Sequence, residues 1–96
     1  MHIHNAYFWL KEGLGDKAKL KFVEGLVALT DDPNVESGYA GPPADTQRDV
    51  VENSYSYGLV LVFKDKAGHD DYQIGTPHHR FLDEHMDKWE KVLVFD

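Results

Sequence analysis

The sequence predicts an α+β domain in which one antiparallel sheet of four strands is backed by helices on a single face. Residues 2–10, HIHNAYFWL, and 55–63, YSYGLVLVF, alternate with the period of a strand, whereas 17–30 repeats its apolar residues at three- and four-residue intervals. The segments follow one another as strand, helix, strand, strand, helix, strand. Both long strand segments are also apolar on both faces, and a sheet with one wet side would alternate apolar with polar instead. Each face therefore needs a cover.

On the first strand His2, His4, Ala6, Phe8 and Leu10 share one face, and Ile3, Asn5, Tyr7 and Trp9 share the other. Lys11, Glu12, Gly13 and Gly15 end it, and Asp16 is placed to cap a helix. Over 17–30 the residues Ala18, Phe22, Val23, Leu26, Val27 and Leu29 form one apolar stripe, with Lys17, Lys19, Lys21 and Glu24 on the wet side. Asp31, Asp32 and Pro33 stop that helix. Residues 35–41 read as a short second strand ending in the turn Gly41, Pro42, Pro43, and 42–54 as polar loop. In 55–63 Tyr55, Tyr57, Leu59, Leu61 and Phe63 line one face, with Val60 and Val62 on the other. Residues 64–74 read as a helix interrupted by Gly75, Thr76 and Pro77. A second helical piece runs from 78 to about 89 and carries Phe81, Leu82, Met86 and Trp89, and 92–95 form the last strand.

This order is the ferredoxin-like βαββαβ plan, a single domain over 1–96 with a four-stranded antiparallel sheet. Its uncovered face, bearing Ile3, Tyr7 and Trp9, is apolar enough to drive association, and packing on the same face of a second copy gives a homodimer. The other available cover is the 42–54 loop of the same chain, though loop backbone is costly to bury over an apolar surface.

Composition narrows the function classes. The chain has 96 residues, 42% of them hydrophobic, and a formal charge of −7 from 17 acids against 10 bases. That balance argues against a nucleic-acid partner, whose phosphates need a basic face, and against an anionic membrane. The absence of cysteine excludes a disulfide framework and fits a cytoplasmic location, and no long apolar run suggests a secretory signal or membrane span. No serine stands in a Gly-x-Ser-x-Gly setting, and no phosphate-cradling loop is present.

Six histidines are the chemically conspicuous feature. His4 shares a strand face with small Ala6, which leaves room beside the imidazole. Helical phase places His78 with Leu82, His85 and Trp89 toward the sheet, and His79 at the edge of that face. A pocket holding His4, Tyr72 and His78, walled by Phe8, Phe22, Phe81 and Trp89, would suit proton abstraction beside a carbonyl: a neutral imidazole takes the proton and a phenol polarises the oxygen. The same residues also fit core histidines satisfied by hydrogen bonds, with Tyr72 plugging a helix edge. No metal is expected. His2 with His4, and His78 with His85, share faces, but there is no tight ligand motif, and His69, beside Asp70 and Asp71, reads as a solvated helix edge.

The pieces HNAYFWLKEGL, GYAGPPA, SYSYGLVLVF, HDDYQIGTPHHRF and WEKVLVFD together resemble the stress-responsive dimeric α/β-barrel family, Dabb, over nearly the full length, and a bacterial member of it. The resemblance implies a ferredoxin-like protomer and a homodimer whose sheets close into a barrel. It extends distantly to olivetolic acid cyclase, a plant relative that closes a linear polyketide by aldol condensation without a cofactor. The family pattern of that enzyme, Tyr-x5-His-x2-Phe plus a strand-one histidine, falls here on Tyr72, His78, Phe81 and His4. Where the family writes His-Pro-x-His, this chain has Gly75, Thr76, Pro77 and His78, so His79 keeps the distance from proline while His78 keeps the spacing to Tyr72 and Phe81.

The expectation is a homodimeric stress-response protein that binds a small apolar or aromatic carbonyl compound, as a cofactor-free cyclase- or lyase-like enzyme. His78, Tyr72 and His4 are its catalytic candidates, and Ala6, Phe8, Phe22, Phe81 and Trp89 line its pocket. Two alternatives stand beside it. One is a cofactor-free monooxygenase or haem-handling protein using Asn5 and Trp9, and the other is a non-enzymatic stress-associated interaction protein.

Overall fold

A computed structural model describes residues 1–96 as β1 (His2–Leu10), α1 (Asp16–Leu29), β2 (Val35–Gly41), β3 (Tyr57–Phe63), α2 (Lys66–Ile74), α3 (Thr76–His85) and β4 (Trp89–Phe95). The strands lie in the order β2-β3-β1-β4, and every neighbouring pair is antiparallel. This is the ferredoxin-like fold, with its second helix split in two. No helix is long and apolar enough to cross a membrane.

Register decides which side chains meet. On β1, Ala6 lies opposite Leu59 of β3 and Val94 of β4, and Phe8 opposite Tyr57 and Val92. Opposed residues share a face, so His4, Ala6, Phe8, Leu59, Leu61, Phe63, Val92 and Val94 form the inner face. Phe22, Leu26 and Leu29 of α1, Tyr72 of α2 and Phe81 of α3 close onto it as the core. Helix α1 packs on β2, and α2 reaches β1, β2 and β3. Little lies over β4 beyond Trp89, and its inward residues Val92 and Val94 remain 40% and 45% exposed.

The outer face carries Ile3, Tyr39, Leu93 and Phe95, which are 46%, 69%, 40% and 57% exposed. The loop covers only one end of it. Tyr55 packs edge-on against Tyr7 with ring centroids 4.9 Å apart, and Trp9 Nε1 donates to Ser54 Oγ at 3.1 Å. Tyr55 was expected on the inner face, at the start of the third strand. That strand instead begins at Tyr57, because Ser56 leaves the ladder: its N–H donates to Phe8 O at 2.8 Å and its Oγ accepts from Leu10 N at 2.9 Å.

Other boundaries move for local reasons. Asp16 is the first residue of α1 and Gly15 is its cap, so the acid favours the helix dipole without capping it. The turn before it contains the one positive-φ residue, Gly13, at 87°. Asp65 caps α2 by accepting from Gly68 N at 2.9 Å. Gly75 is extended, which ends α2 and lets Pro77 enter the first turn of α3 where it forfeits no bond. Trp89, expected at the end of a helix, opens β4. A 3-10 turn at Met86–Lys88 interrupts the helix, and Lys11 N donates to Lys88 O at 2.9 Å to start the pairing. Val27 and Met86, expected in apolar stripes, are 49% and 59% exposed.

Gly25 lets α1 and α3 approach closely. A Cβ there would lie 2.5 Å from His85 Nε2 and 2.8 Å from its Cδ2. Gly25→Ala gains helix propensity of about 0.5–1 kcal/mol but overpacks this contact at about 1–3 kcal/mol. The expected result is a net loss of about 1 kcal/mol in urea unfolding. Most of that loss should be recovered when His85→Ala is introduced beside Gly25→Ala, relative to His85→Ala alone.

Candidate functional site

Because α2 and α3 stop short of β4, a cleft of about 460 Å³ opens between them and the sheet. That volume suits a small molecule. Ala6, Phe8, Val92 and Val94 line its sheet side, Phe81, Leu82 and Trp89 line one wall, and His4, Tyr72 and His78 project polar groups into it. Ala6 matters because its small side chain leaves the space beside His4 open. Phe8, Phe81 and Trp89 form an aromatic wall, with Phe81 and Trp89 stacked at 6.0 Å between centroids.

The polar groups are held by specific partners. His78 donates from Nδ1 to Gln73 O at 3.0 Å, which leaves Nε2 of the neutral ring as its lone-pair nitrogen. Burial lowers the His78 pKa below the ordinary imidazole value, partly opposed by the Gln73 carbonyl, so the ring is neutral at pH 7. His4 donates from Nδ1 to Asp96 Oδ1 at 2.6 Å, an arrangement that likewise leaves Nε2 without a protein partner. Between them lies Tyr72, with ring centroids 6.2 Å from His4 and 5.0 Å from His78. Tyr72 is 1% exposed, and burial, assisted by the charge on Asp32, pushes its pKa well up, so it remains a proton donor. Its hydroxyl makes no hydrogen bond to the protein. No sealed side-chain polar atom in the molecule lacks a partner, so that oxygen keeps some exposure, and Tyr72 is one of the residues lining the cleft.

At the mouth of the cleft the structure gathers a group that the sequence reading did not assemble. His69, expected on a solvated edge, turns inward from α2 and stacks on His2 at 4.1 Å between centroids. His2 Nε2 lies 3.0 Å and His69 Nε2 lies 3.6 Å from the same Asp96 Oδ1 that His4 contacts. Partial burial raises the Asp96 pKa, but the hydrogen bonds from His2 and His4 outweigh it and hold the carboxyl below its ordinary value. The signal for Asp96 was present in strand parity, since it follows Val92 and Val94 at steps of two. For His69 it was the three-residue step to Tyr72 on one helix face.

Several expected residues lie elsewhere. Phe22 does not line the cleft: it is 0% exposed, packed beneath Phe8 and against Tyr57 and Phe81. His85 does not join His78 but packs against Phe22 and Phe81, accepting from Lys88 Nζ at 2.8 Å. His79 is exposed. Asn5 and Trp9 lie on the outer face, and their N–H groups are spent on Phe95 O and Ser54 Oγ.

Comparisons with known proteins bear on this geometry. Residues 3–96 match the model of the Dabb family, described as Stress responsive A/B Barrel Domain. No curated protein matches the sequence. A dimeric ferredoxin-like protein of unknown function from Jannaschia sp. CCS1 superposes with a TM-score of 0.78 at 22% identity, covering 98% of this chain and 94% of that one. A Dabb family protein from Mesorhizobium loti gives 0.77 at 21% identity, over 97% and 90% of the two chains. A hydroxynitrile lyase from Passiflora edulis gives 0.79 at 18% identity, over 97% and 87%.

Two desolvated imidazoles, buried His85 and half-buried His78, contribute to the pH response. Burial lowers the pKa of both His78 and His85, with the Lys88 charge adding to the effect at His85 and Glu84 and Asp87 opposing it. The unfolded chain therefore binds more protons just below about pH 6.5, so the stability from these groups is complete above that pH and is lost as pH falls through their folded values. Thermal melts between about pH 7.5 and pH 5.5 should show a falling midpoint. His85→Gln should flatten that slope, and an unchanged slope would contradict the assignment.

Proposed function

The chain belongs to the stress-responsive A/B barrel family, Dabb, and from that premise we propose that it is a homodimer whose cleft binds a small apolar or aromatic carbonyl compound and acts on it by proton transfer. The observation that carries the reading is the pairing of Tyr72 and His78. A buried phenol with an unpartnered hydroxyl lines an apolar cleft beside an imidazole whose lone-pair nitrogen is Nε2.

In this reading the Tyr72 hydroxyl donates to the substrate carbonyl oxygen. His78 Nε2 removes a proton from the adjacent carbon, and the electron pair of that C–H bond moves into the enolate. The high pKa of Tyr72 keeps its proton in place as negative charge builds on the oxygen. The enolate carbon then attacks a second carbonyl of the same molecule, and His78 returns its proton to the new alkoxide. His4, fixed by Asp96, packs on the other side of Tyr72, and its Nε2 lone pair accepts from a hydroxyl of the substrate. The step asks no cofactor. Fold likeness to a hydroxynitrile lyase supports the reading only at the level of scaffold.

The homodimer follows from the outer face. Ile3, Leu93 and Phe95 form an exposed apolar surface that the 52–55 segment leaves bare. Burying it on its own symmetry mate removes the exposure with one self-complementary contact.

Proton transfer is tested by hydrogen–deuterium exchange of the α-protons of a phenolic methyl ketone, followed by proton NMR in heavy water. The wild-type protein is expected to catalyse exchange. His78→Gln should lower the rate at least about 100-fold, and Tyr72→Phe should lower it about 100-fold with the fold intact. The rate should fall on the acid side below about pH 6.5. Absence of both exchange and ligand-induced shifts at His78 across a panel of such ketones would remove the reading. Sedimentation tests the assembly separately: a dimer is expected at micromolar concentration, converted to monomer by Ile3→Glu with Leu93→Glu. A wild-type protein sedimenting as an 11.0 kDa particle would contradict it.

A further inference from the structure

Three imidazole nitrogens converge on one carboxylate oxygen at the mouth of the cleft. His2 Nε2, His4 Nδ1 and His69 Nε2 lie 3.0, 2.6 and 3.6 Å from Asp96 Oδ1, and the four ligand atoms all lie within 4.8 Å of one another. From this geometry we infer that His2, His4, His69 and Asp96 form a tetrahedral binding site for a divalent transition-metal ion of the zinc type.

Donor chemistry and spacing both fit. Three neutral imidazoles and one carboxylate are borderline ligands of the kind that zinc, cobalt and nickel accept. Bonds of about 2.0–2.2 Å in a tetrahedron place ligand atoms about 3.3–3.5 Å apart. The present spacings, from 2.6 Å between His4 Nδ1 and Asp96 Oδ1 up to 4.8 Å across the group, bracket that value. Three elements contribute: His2 and His4 from one face of β1, His69 from α2, and Asp96 directly after β4.

The His69 contact is better satisfied by a cation than without one, whereas His2 Nε2 and His4 Nδ1, which donate to Asp96 without an ion, release those protons on ligating it. His69 Nδ1 lies 3.2 Å from Asp70 Oδ1, a carboxylate that can only accept, and Lys66 holds Asp70 in turn at 2.7 Å. In its neutral form His69 carries its proton on Nδ1, and its Nε2 lone pair then faces the Asp96 carboxylate. The Gln73 amide approaches that Nε2 at 3.4 Å, as a donor approaches an acceptor. A lone pair set against an anion is the arrangement that an ion between them relieves. Asp70 on the far nitrogen is also the outer carboxylate that metal-bound histidines usually have.

Four protein ligands fill a tetrahedral zinc, so the ion acts as a clip that ties β1, α2 and β4 together at the open end of the cleft. The His4 and His69 side chains are 7% and 12% exposed while that of Asp96 is 43% exposed, which leaves an entry path on the carboxylate side. The inference shares His4 and Asp96 with the proton-transfer reading but uses neither Tyr72 nor His78, so zinc binding and proton exchange are read out separately.

The test uses tag-free, chelator-treated protein and Zn²⁺ alone, with no substrate present. Calorimetric titration should give one ion per chain and a higher thermal midpoint. His69→Ala should weaken binding at least about 10-fold, and Asp70→Asn about 10-fold through the outer contact. His79→Ala, which removes an exposed histidine, should leave it unchanged. Co²⁺ added to the wild-type chain should give the intense visible absorption of a four-coordinate ion, which requires no variant to fold. Weak six-coordinate absorption, a stoichiometry other than one, or equal affinity in the wild type and both His69→Ala and Asp70→Asn would overturn the site.

Discussion

The cleft exists because a single layer of helices covers three strands of a four-stranded sheet. Helix α1 fills the ground above β2, and α2 lies across β1, β2 and β3, so the inner face of β4 is left without a roof. Everything chemical in the molecule follows from that shortfall. Val92 and Val94 remain apolar floor, Trp89 becomes a wall, and the polar groups of β1, α2 and α3 face a space that a fuller packing would have closed. Gly75 and Pro77 contribute by breaking the helix. An unbroken helix would have carried Tyr72 and His78 about 120° apart around one axis, whereas two helices meeting at Gly75 bring both to the same cleft.

The polar network is ordered in sequence from the cleft to its mouth. Tyr72 stands between His78 and His4, His4 is bonded to Asp96, and Asp96 gathers His2 and His69. The hydrogen bond to Asp96 fixes the tautomer of His4. The Gln73 carbonyl does the same for His78 from the helix backbone. Acid and base functions are thus set by what lies behind each ring, which is why single distances within the cleft say less than the chain of partners.

Strand and helix periods made the architecture readable in the sequence, because alternation in HIHNAYFWL and the stripe through Phe22 and Leu26 correspond to faces that the fold buries. Reading failed where a local bond overrode the period. Tyr55 shared parity with Tyr57, but Ser56 left the ladder and turned it to the opposite face. Trp89 fell in helical phase with His85, but the 3-10 turn moved it onto a strand. Phe22 was legible as apolar, yet depth in a core and position on a cleft wall have the same signature along one helix. His69 was hidden for a different reason. Its neighbours Asp70 and Asp71 mark a wet face, and only the tertiary approach of β1 showed that the imidazole points the other way.

The roofless strand is also one of the two edge strands. β4 has a single hydrogen-bonded neighbour, β1, and the pairing is already irregular between Trp9 and Leu10. The sheet side of the cleft therefore rests on a strand held by one ladder, whereas β1 beside it is held by two. Half of the pocket's floor is thus stitched along one seam only, and the other half along two.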